Sequence, residues 1–150
     1  MPYRLSWIIE NRLLLIAYDG AITRSDLEMY LDESMAMRDR ANAALGEGGP
    51  LVHTITDARR LTKNEMSFKD AQNIAKSLRH QRVGWSIYIP KNAIDQFFAN
   101  IGHQIVGVRY RSFPTVTEGI DFLKSVDETL KTLDYITTDE SMSRAPFKRP

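Results

Sequence analysis

Ser67, in the run Glu65-Met66-Ser67-Phe68, stands where the sequence predicts the start of a helix. A helix N-terminus offers free N–H donors and the positive end of the dipole, so a phosphoryl group on that hydroxyl would be stabilised. Serine is equally the ordinary choice for a helix cap, worth ~1 kcal/mol, and both readings stay open. Just upstream, Asp57, Arg59, Arg60, Thr62 and Lys63 follow one apolar run, and Lys91 and Asn92 follow another. If the two runs are parallel strands, these seven residues share the carboxyl rim of a sheet, where open α/β sheets bind ligands. They form a candidate ligand- or partner-binding set that could hold an anion. The plainer alternative is a solvated loop with Asp57 paired to a nearby arginine.

Other chemistry finds little footing. His53, His80 and His103 are far apart, and no pair has metal-ligand spacing, so no metal site is expected. His53 falls within a strand and reads as a buried, hydrogen-bonded residue; His80, near a helix end, suits the negative end of its dipole. Gly46-Glu47-Gly48-Gly49 follows a helix and precedes a strand, the reverse of a phosphate-cradling loop. Gly84-Trp85-Ser86-Ile87-Tyr88 lacks the second glycine of a nucleophile elbow. The absence of cysteine removes disulfides, thiolate metal sites and thiol nucleophiles at once. The expectation is a non-enzymatic protein without a cofactor.

Composition narrows the partners. Twenty Lys and Arg against nineteen Asp and Glu are too balanced for nucleic-acid binding by charge alone. No apolar stretch approaches the ~20 residues of a membrane helix, and Met1-Pro2-Tyr3-Arg4 does not open a secretory signal. A cytoplasmic protein with no integral membrane segment is the expectation. At 150 residues a single domain buries a real core without metals or disulfides.

The elements that must position Ser67 and the rim can be read from periodicity. Tyr3, Leu5, Trp7 and Ile9 alternate as on a strand with one buried face. After Glu10-Asn11-Arg12, residues 13–18 are apolar on both faces, as in an interior strand paired with the first, and Asp19-Gly20 ends it. Leu27, Tyr30, Leu31, Ser34, Met35, Arg38, Ala41 and Leu45 recur at helical spacing, with Ser25 and Glu28 as a capping box and Gly46 as the stop. Leu51 to Thr56 is the third strand, closed by Asp57, and residues 58–66 read as a polar, basic loop. Phe68, Ala71, Ile74, Ala75 and Leu78 then mark a helix over 68–80, capped by Ser67 with Asp70 three residues on.

Residues 83–89 form a fourth strand stopped by Pro90. Asn92 caps a third helix bearing Ile94, Phe97, Phe98 and Ile101. Residues 106–110 form the fifth strand, and Thr115 with Glu118 opens the last helix, carrying Val116, Ile120, Leu123, Val126 or Asp127, and Leu130. Residues 136–150 lack periodicity and read as a flexible C-terminal tail beyond a domain of residues 1–135. The predicted fold is a single α/β domain: a mixed, mostly parallel five-stranded sheet with an N-terminal β-hairpin and about four helices.

This order resembles the STAS domain, the family of sulfate-transporter and anti-sigma-factor-antagonist domains. The segments that carry the resemblance are Leu51-Val52-His53-Thr54-Ile55-Thr56-Asp57, Val83-Gly84-Trp85-Ser86-Ile87-Tyr88-Ile89 and Phe113-Pro114-Thr115-Val116-Thr117-Glu118-Gly119-Ile120. The resemblance implies a regulatory serine after the aspartate-ended strand, and Ser67 is the matching position. The Asp and Gly that flank that serine in the family have no counterpart in Glu65-Met66-Ser67-Phe68. The chain is therefore similar to the divergent, standalone STAS-like branch, some of whose relatives are linked to lipid or other apolar ligands.

Charge is segregated along the chain. Residues 19–47 hold seven acids and three bases, whereas residues 57–82 hold three acids and seven bases. Opposed patches of this kind can steer a partner or a second copy of the chain, although charge runs are usually just solvated faces. Two functions follow as expectations. The first is a regulatory or protein-interaction module acting through the 57–67 segment. The alternative is a binder of a small apolar or lipid-like ligand, resting on Trp7, Trp85, Tyr88, Phe97, Phe98 and Phe113. A homodimer would suit the exposed sheet edge.

Overall fold

Two antiparallel strands open the chain, β1 (Tyr3–Ile9) and β2 (Leu13–Ile22). The turn between them closes with the Arg12 N–H donating to the Ile9 carbonyl at 3.0 Å. Asn11 sits at φ 61°, a left-handed conformation that asparagine tolerates better than most residues. The computed structural model describes residues 2–65, 67, 69, 70, 73, 76, 82–96 and 109–136. No helix among them is long and apolar enough to cross a membrane.

Helix α1 (Arg24–Leu45) follows, then the parallel strands β3 (His53–Asn64), β4 (Ser86–Ile89) and β5 (Tyr110–Ser112), and helix α2 (Val116–Val126). The five strands lie in the order β1-β2-β3-β4-β5, with only the first pair antiparallel. The predicted α/β class and mixed sheet are therefore present. Residues 69, 70, 73, 76 and 93–96 are helical as well, so both remaining predicted helices begin where expected. The apolar stripe assigned to 68–80, the ends of both helices, residues 106–108 of the predicted fifth strand, and all but Ile136 of the predicted tail lie outside the described residues.

The sheet is sandwiched between two apolar clusters. Leu13, Leu15, Ile55, Ile87 and Ile89 pack under Val116, Ile120 and Leu123 of α2. Leu14, Ile16, Tyr18 and Ala58 pack on the other face with Leu27 and Tyr30 of α1. Each fully buried Leu or Ile contributes roughly 1.5–3 kcal/mol, against ~0–1 for an exposed ion pair, so these clusters hold the fold. Gly119 lets α2 approach the sheet: a Cβ there would lie 2.9 Å from Ile87 Cγ2.

Three local expectations need correction. The single buried face expected for Tyr3, Leu5, Trp7 and Ile9 splits, because a bulge between Trp7 and Ile9 turns Ile9 to the α2 side beside Ile8. Helix α1 starts before Ser25: Thr23 is its cap, in a reciprocal box with Asp26, and Glu28 takes no part. The fourth strand begins only at Ser86, since Gly84 folds around His53 instead of joining a regular ladder.

A fourth correction bears on the candidate site. Residues 58–64 are not a loop, and β2 does not end at Asp19-Gly20. Both strands run on past the level of β4, whose Ile89 pairs with Asp57, and form a projecting ribbon of 19–22 against 60–64. Buried Ile22, Ala58 and Leu61 anchor it, and two register shifts, each with an extra residue in β3, keep the strands paired as they twist. The Glu65 N–H closes its tip onto the Ile22 carbonyl at 3.1 Å.

Candidate functional site

Asp57 sits where β3 leaves the main sheet, almost wholly buried. Its Oδ1 accepts from the Arg59 backbone N–H at 3.1 Å and from Arg59 Nε at 2.9 Å, while Oδ2 accepts from Nη2 at 2.8 Å. This fork-to-carboxylate pair consumes the charge of both residues. Arg60 lies opposite Asp19 across the ribbon and pairs with it at 3.0 Å. Thr62 and Lys63 are exposed farther along the same strand.

Lys91 and Asn92 follow β4 as expected and are exposed. Asn92 caps the next helical turn, its side-chain oxygen accepting the Asp95 N–H at 2.8 Å, and the Lys91 N–H donates to Asp95 Oδ2 at 3.2 Å. The predicted rim thus resolves into separate parts. Asp57 and Arg59 are a buried ion pair, Arg60 belongs to a cross-strand pair, Asn92 is committed to a cap, and Thr62 and Lys63 face solvent.

Ser67 is placed as the sequence predicts. Its hydroxyl accepts the Asp70 N–H at 3.1 Å, and Asp70 Oδ2 accepts the Ser67 N–H at 3.1 Å, a reciprocal capping box. Hydrogen bonding to the carboxyl from the Ser67 backbone N–H and side chain, with the nearby Arg24 and Lys69 charges, holds Asp70 below its ordinary range. Ser67 itself is exposed.

Arg24, which sequence reasoning passed over, ties this turn to α1. Its guanidinium donates to Asp70 Oδ1 at 2.9 Å and its backbone N–H donates to Glu65 Oε2 at 2.9 Å. The ribbon tip, the start of α1 and the Ser67 turn are therefore one hydrogen-bonded junction. No sequence signal pairs residues this far apart; Arg24 announces itself only by standing at N1 of a helix, where a base opposes the dipole.

The opposite end of the sheet holds a second polar cluster, centred on His53. Its Nδ1 accepts the Trp85 N–H at 2.9 Å, so Nε2 carries the proton and donates to Asp127 Oδ2 at 2.8 Å. Arg12, also buried, donates to the same Oδ2 at 2.7 Å and to the Leu51 carbonyl at 3.1 Å. Burial lowers the His53 pKa against the opposing pull of Asp127. Burial alone would raise the Asp127 carboxyl, but hydrogen bonds from Thr129 and His53 and the Arg12 charge hold it below its usual range. Every polar atom of the imidazole is committed, which is the buried, hydrogen-bonded role expected of this residue. Among the described residues no group of three or more His, Asp or Glu could hold a metal.

The aromatic residues offered for an apolar ligand are largely used in packing. Trp85 and Phe113 flank Phe122 of α2 at 5.0 and 5.3 Å between ring centres, with the Arg111 guanidinium over Phe122 at 4.9 Å. Trp7 and Tyr88 pack against the α1-side cluster. Phe97 and Phe98 lie outside the described residues.

No protein-family model matches the chain, and no curated protein matches it. Solved structures do. The anti-sigma factor antagonist SpoIIAA in its unphosphorylated form superposes with a TM-score of 0.59 at 12% identity, covering 83% of this chain and 98% of that one. An uncharacterized DUF3478-family protein with a SpoIIAA-like fold, from Shewanella loihica PV-4, gives 0.56 at 15% identity, covering 81% and 94%. The chain has the STAS-like fold that its sequence resembles.

Proposed function

We propose that this chain is a non-enzymatic regulatory module that binds a protein partner through the β2–β3 ribbon and the Ser67 turn, with Ser67 as the switch. The observation that carries this reading is the junction at Ser67: an exposed hydroxyl in a capping box whose acid, Asp70, also holds Arg24 at the start of α1. The likeness to an anti-sigma factor antagonist described in its unphosphorylated form supports it.

A phosphoryl group on Ser67 would meet the helix N-terminus, which favours it, and the Asp70 carboxylate, which repels it. The capping box opens, Asp70 releases Arg24, and Arg24 turns to the phosphate. The change is local in charge and reaches the ribbon through Glu65. The face a partner meets presents Thr62, Lys63 and Ser67, all exposed. Asp57, Arg59 and Arg60 shape the ribbon from within and below, and Lys91 and Asn92 extend the same end of the sheet.

The test is comparative capture from extract of the protein's own host, using the full chain, Lys63→Glu and Ser67→Asp. A partner retained by the parent chain is expected to be lost or weakened at least tenfold with either variant, while thermal melts stay within a few degrees. Equal retention by all three would remove the ribbon and Ser67 from the interface.

A further inference from the structure

The α1-facing side of the sheet changes character at β3. On β1 and β2 it is apolar, with Leu14 and Ile16 against Leu27 of α1. On β3 to β5 it carries two rows of hydroxyls set by the strand register: Thr54, Ser86 and Tyr110, then Thr56, Tyr88 and Ser112. Helix α1 changes in the same sense. Its inward stripe passes from Leu27 and Tyr30 to Ser34 and Arg38, with Asn42 one turn further on. The polar part of this stripe, which also holds the buried Ala41, thus meets the hydroxyl-bearing face of the sheet at Thr54, where a helix and a sheet ordinarily bury apolar side chains.

Arg38 lies at the centre of this seam and is only 5% exposed. Its Nε and Nη2 donate to Thr54 Oγ1 at 3.4 and 3.3 Å and its Nη1 to Ser34 Oγ at 3.4 Å. All three bonds are long, and all go to neutral hydroxyls. Among the described residues no carboxylate forms an ion pair with it, whereas Arg12 and Arg59, the other buried arginines, each hold an aspartate at 2.7–2.8 Å. Asn42 Oδ1, near the same stripe, is buried without a hydrogen-bond partner. The neighbouring Asp39 acts on Arg38 only through space; a buried cation with no bonded carboxylate is costly, and a guanidinium stays protonated in a protein. Tyr110, at the far end of the first row, has its hydroxyl pKa pushed up to about 12 by burial, so it stays a neutral donor.

We infer that the Arg38 seam is a binding site for the carboxylate group of a small molecule. A planar fork with one positive charge matches one planar monoanion, and the hydroxyls of Thr54 and Ser34, already on the guanidinium, add neutral donors beside it. A phosphate dianion would leave a net negative charge in a buried site with a single cation. This site is independent of the ribbon and of Ser67.

The test uses the full chain labelled with 15N-arginine and titrated with sodium acetate, against sodium chloride at matched ionic strength. The Arg38 Nε–Hε resonance is expected to move saturably with acetate and not with chloride. Arg38→Met, which removes a buried charge, is expected to melt no lower than the parent and, with binding read by calorimetry for parent and variant alike, to bind acetate at least tenfold more weakly. Should that variant fail to fold, Thr54→Val keeps Arg38 and is expected to weaken acetate about two- to tenfold. Parallel titrations with octanoate and inorganic phosphate identify the source. Octanoate binding more tightly than acetate, still dependent on Arg38, supports the site and assigns the carboxylate to a chain-bearing molecule; equal affinity supports it and assigns a small free acid. Phosphate binding more tightly than acetate, identical responses to acetate and chloride, or undiminished affinity in the variants would overturn the inference.

Discussion

At the residue scale, the most connected group is His53, and its surroundings fix how it responds to acid. The folded state holds the neutral ring because Nδ1 already accepts the Trp85 N–H, and burial lowers its pKa below the ordinary value. The unfolded chain therefore binds a proton first, and stability rises with pH across that interval. We expect the melting temperature to fall as pH drops below about 6.5, with a further loss below about 4 as Asp127, held low in the fold, is protonated in turn. His53→Gln should flatten the first part of that profile; an unchanged profile would mean that another group sets it. Gly84 is coupled to the same ring, since a Cβ there would overlap the imidazole and press on the Val52 carbonyl. Gly84→Ala is expected to cost about 1–3 kcal/mol by overpacking, read from chemical denaturation. The Asp57–Arg59 pair gives a third expectation. Asp57→Ala leaves the Arg59 guanidinium buried without its partner and should cost about 3–5 kcal/mol, far more than loss of an exposed pair.

At the scale of elements, the close contact of α2 with the sheet sets two opposing effects against each other at Gly119. Alanine there would gain roughly 0.8–1 kcal/mol in helix propensity. Its methyl group, however, would press on the branched, stiff Ile87 side chain. Gly119→Ala is expected to be net destabilising by about 1 kcal/mol or more; a higher melting temperature would show that α2 can shift outward at little cost. The same scale shows what the sequence made readable. The apolar runs at 13–18 and 51–56, the caps Ser67, Asn92 and Thr115, and the stop at Gly46 act locally, so local pattern sufficed. The ribbon did not show, because Arg59 and Arg60 look like a polar loop until Asp57 and Asp19 neutralise them from the same and the neighbouring strand. Which acid meets which base depends on a register containing two bulges, and bulges leave no compositional mark. The Arg12–His53–Asp127 cluster joins a turn, a strand and a helix end, a juxtaposition that only the assembled sheet creates. Arg38 was legible as a member of the α1 stripe, but not as a buried cation facing hydroxyls.

For the whole molecule, the charge segregation along the chain persists on folding, carried by the exposed groups of each segment. Of the three bases in residues 19–47, Arg38 is buried while Arg24 and Arg40 are exposed, and α1 presents the exposed acids Glu28, Asp32 and Glu33. Of the bases in residues 57–82, Arg59 and Arg60 are paired, while Lys63, Lys69 and Lys76 remain exposed. A partner bound at the ribbon is therefore expected to carry acids, and its association should slow several-fold between low and physiological salt, more steeply for the parent chain than for Lys63→Glu. The proposed switch acts on this same end, where one phosphoryl group changes the charge of an exposed turn wired through Arg24 and Glu65 to α1 and the ribbon. The most direct measurement is native mass spectrometry of the full chain isolated gently from its own host, with the modified residue located by fragmentation. The account predicts two populations, a partner-bound chain free of phosphate and an unbound chain phosphorylated on Ser67. A phosphoryl group elsewhere, one spread equally over bound and free chains, or a bare chain under every growth condition would contradict it.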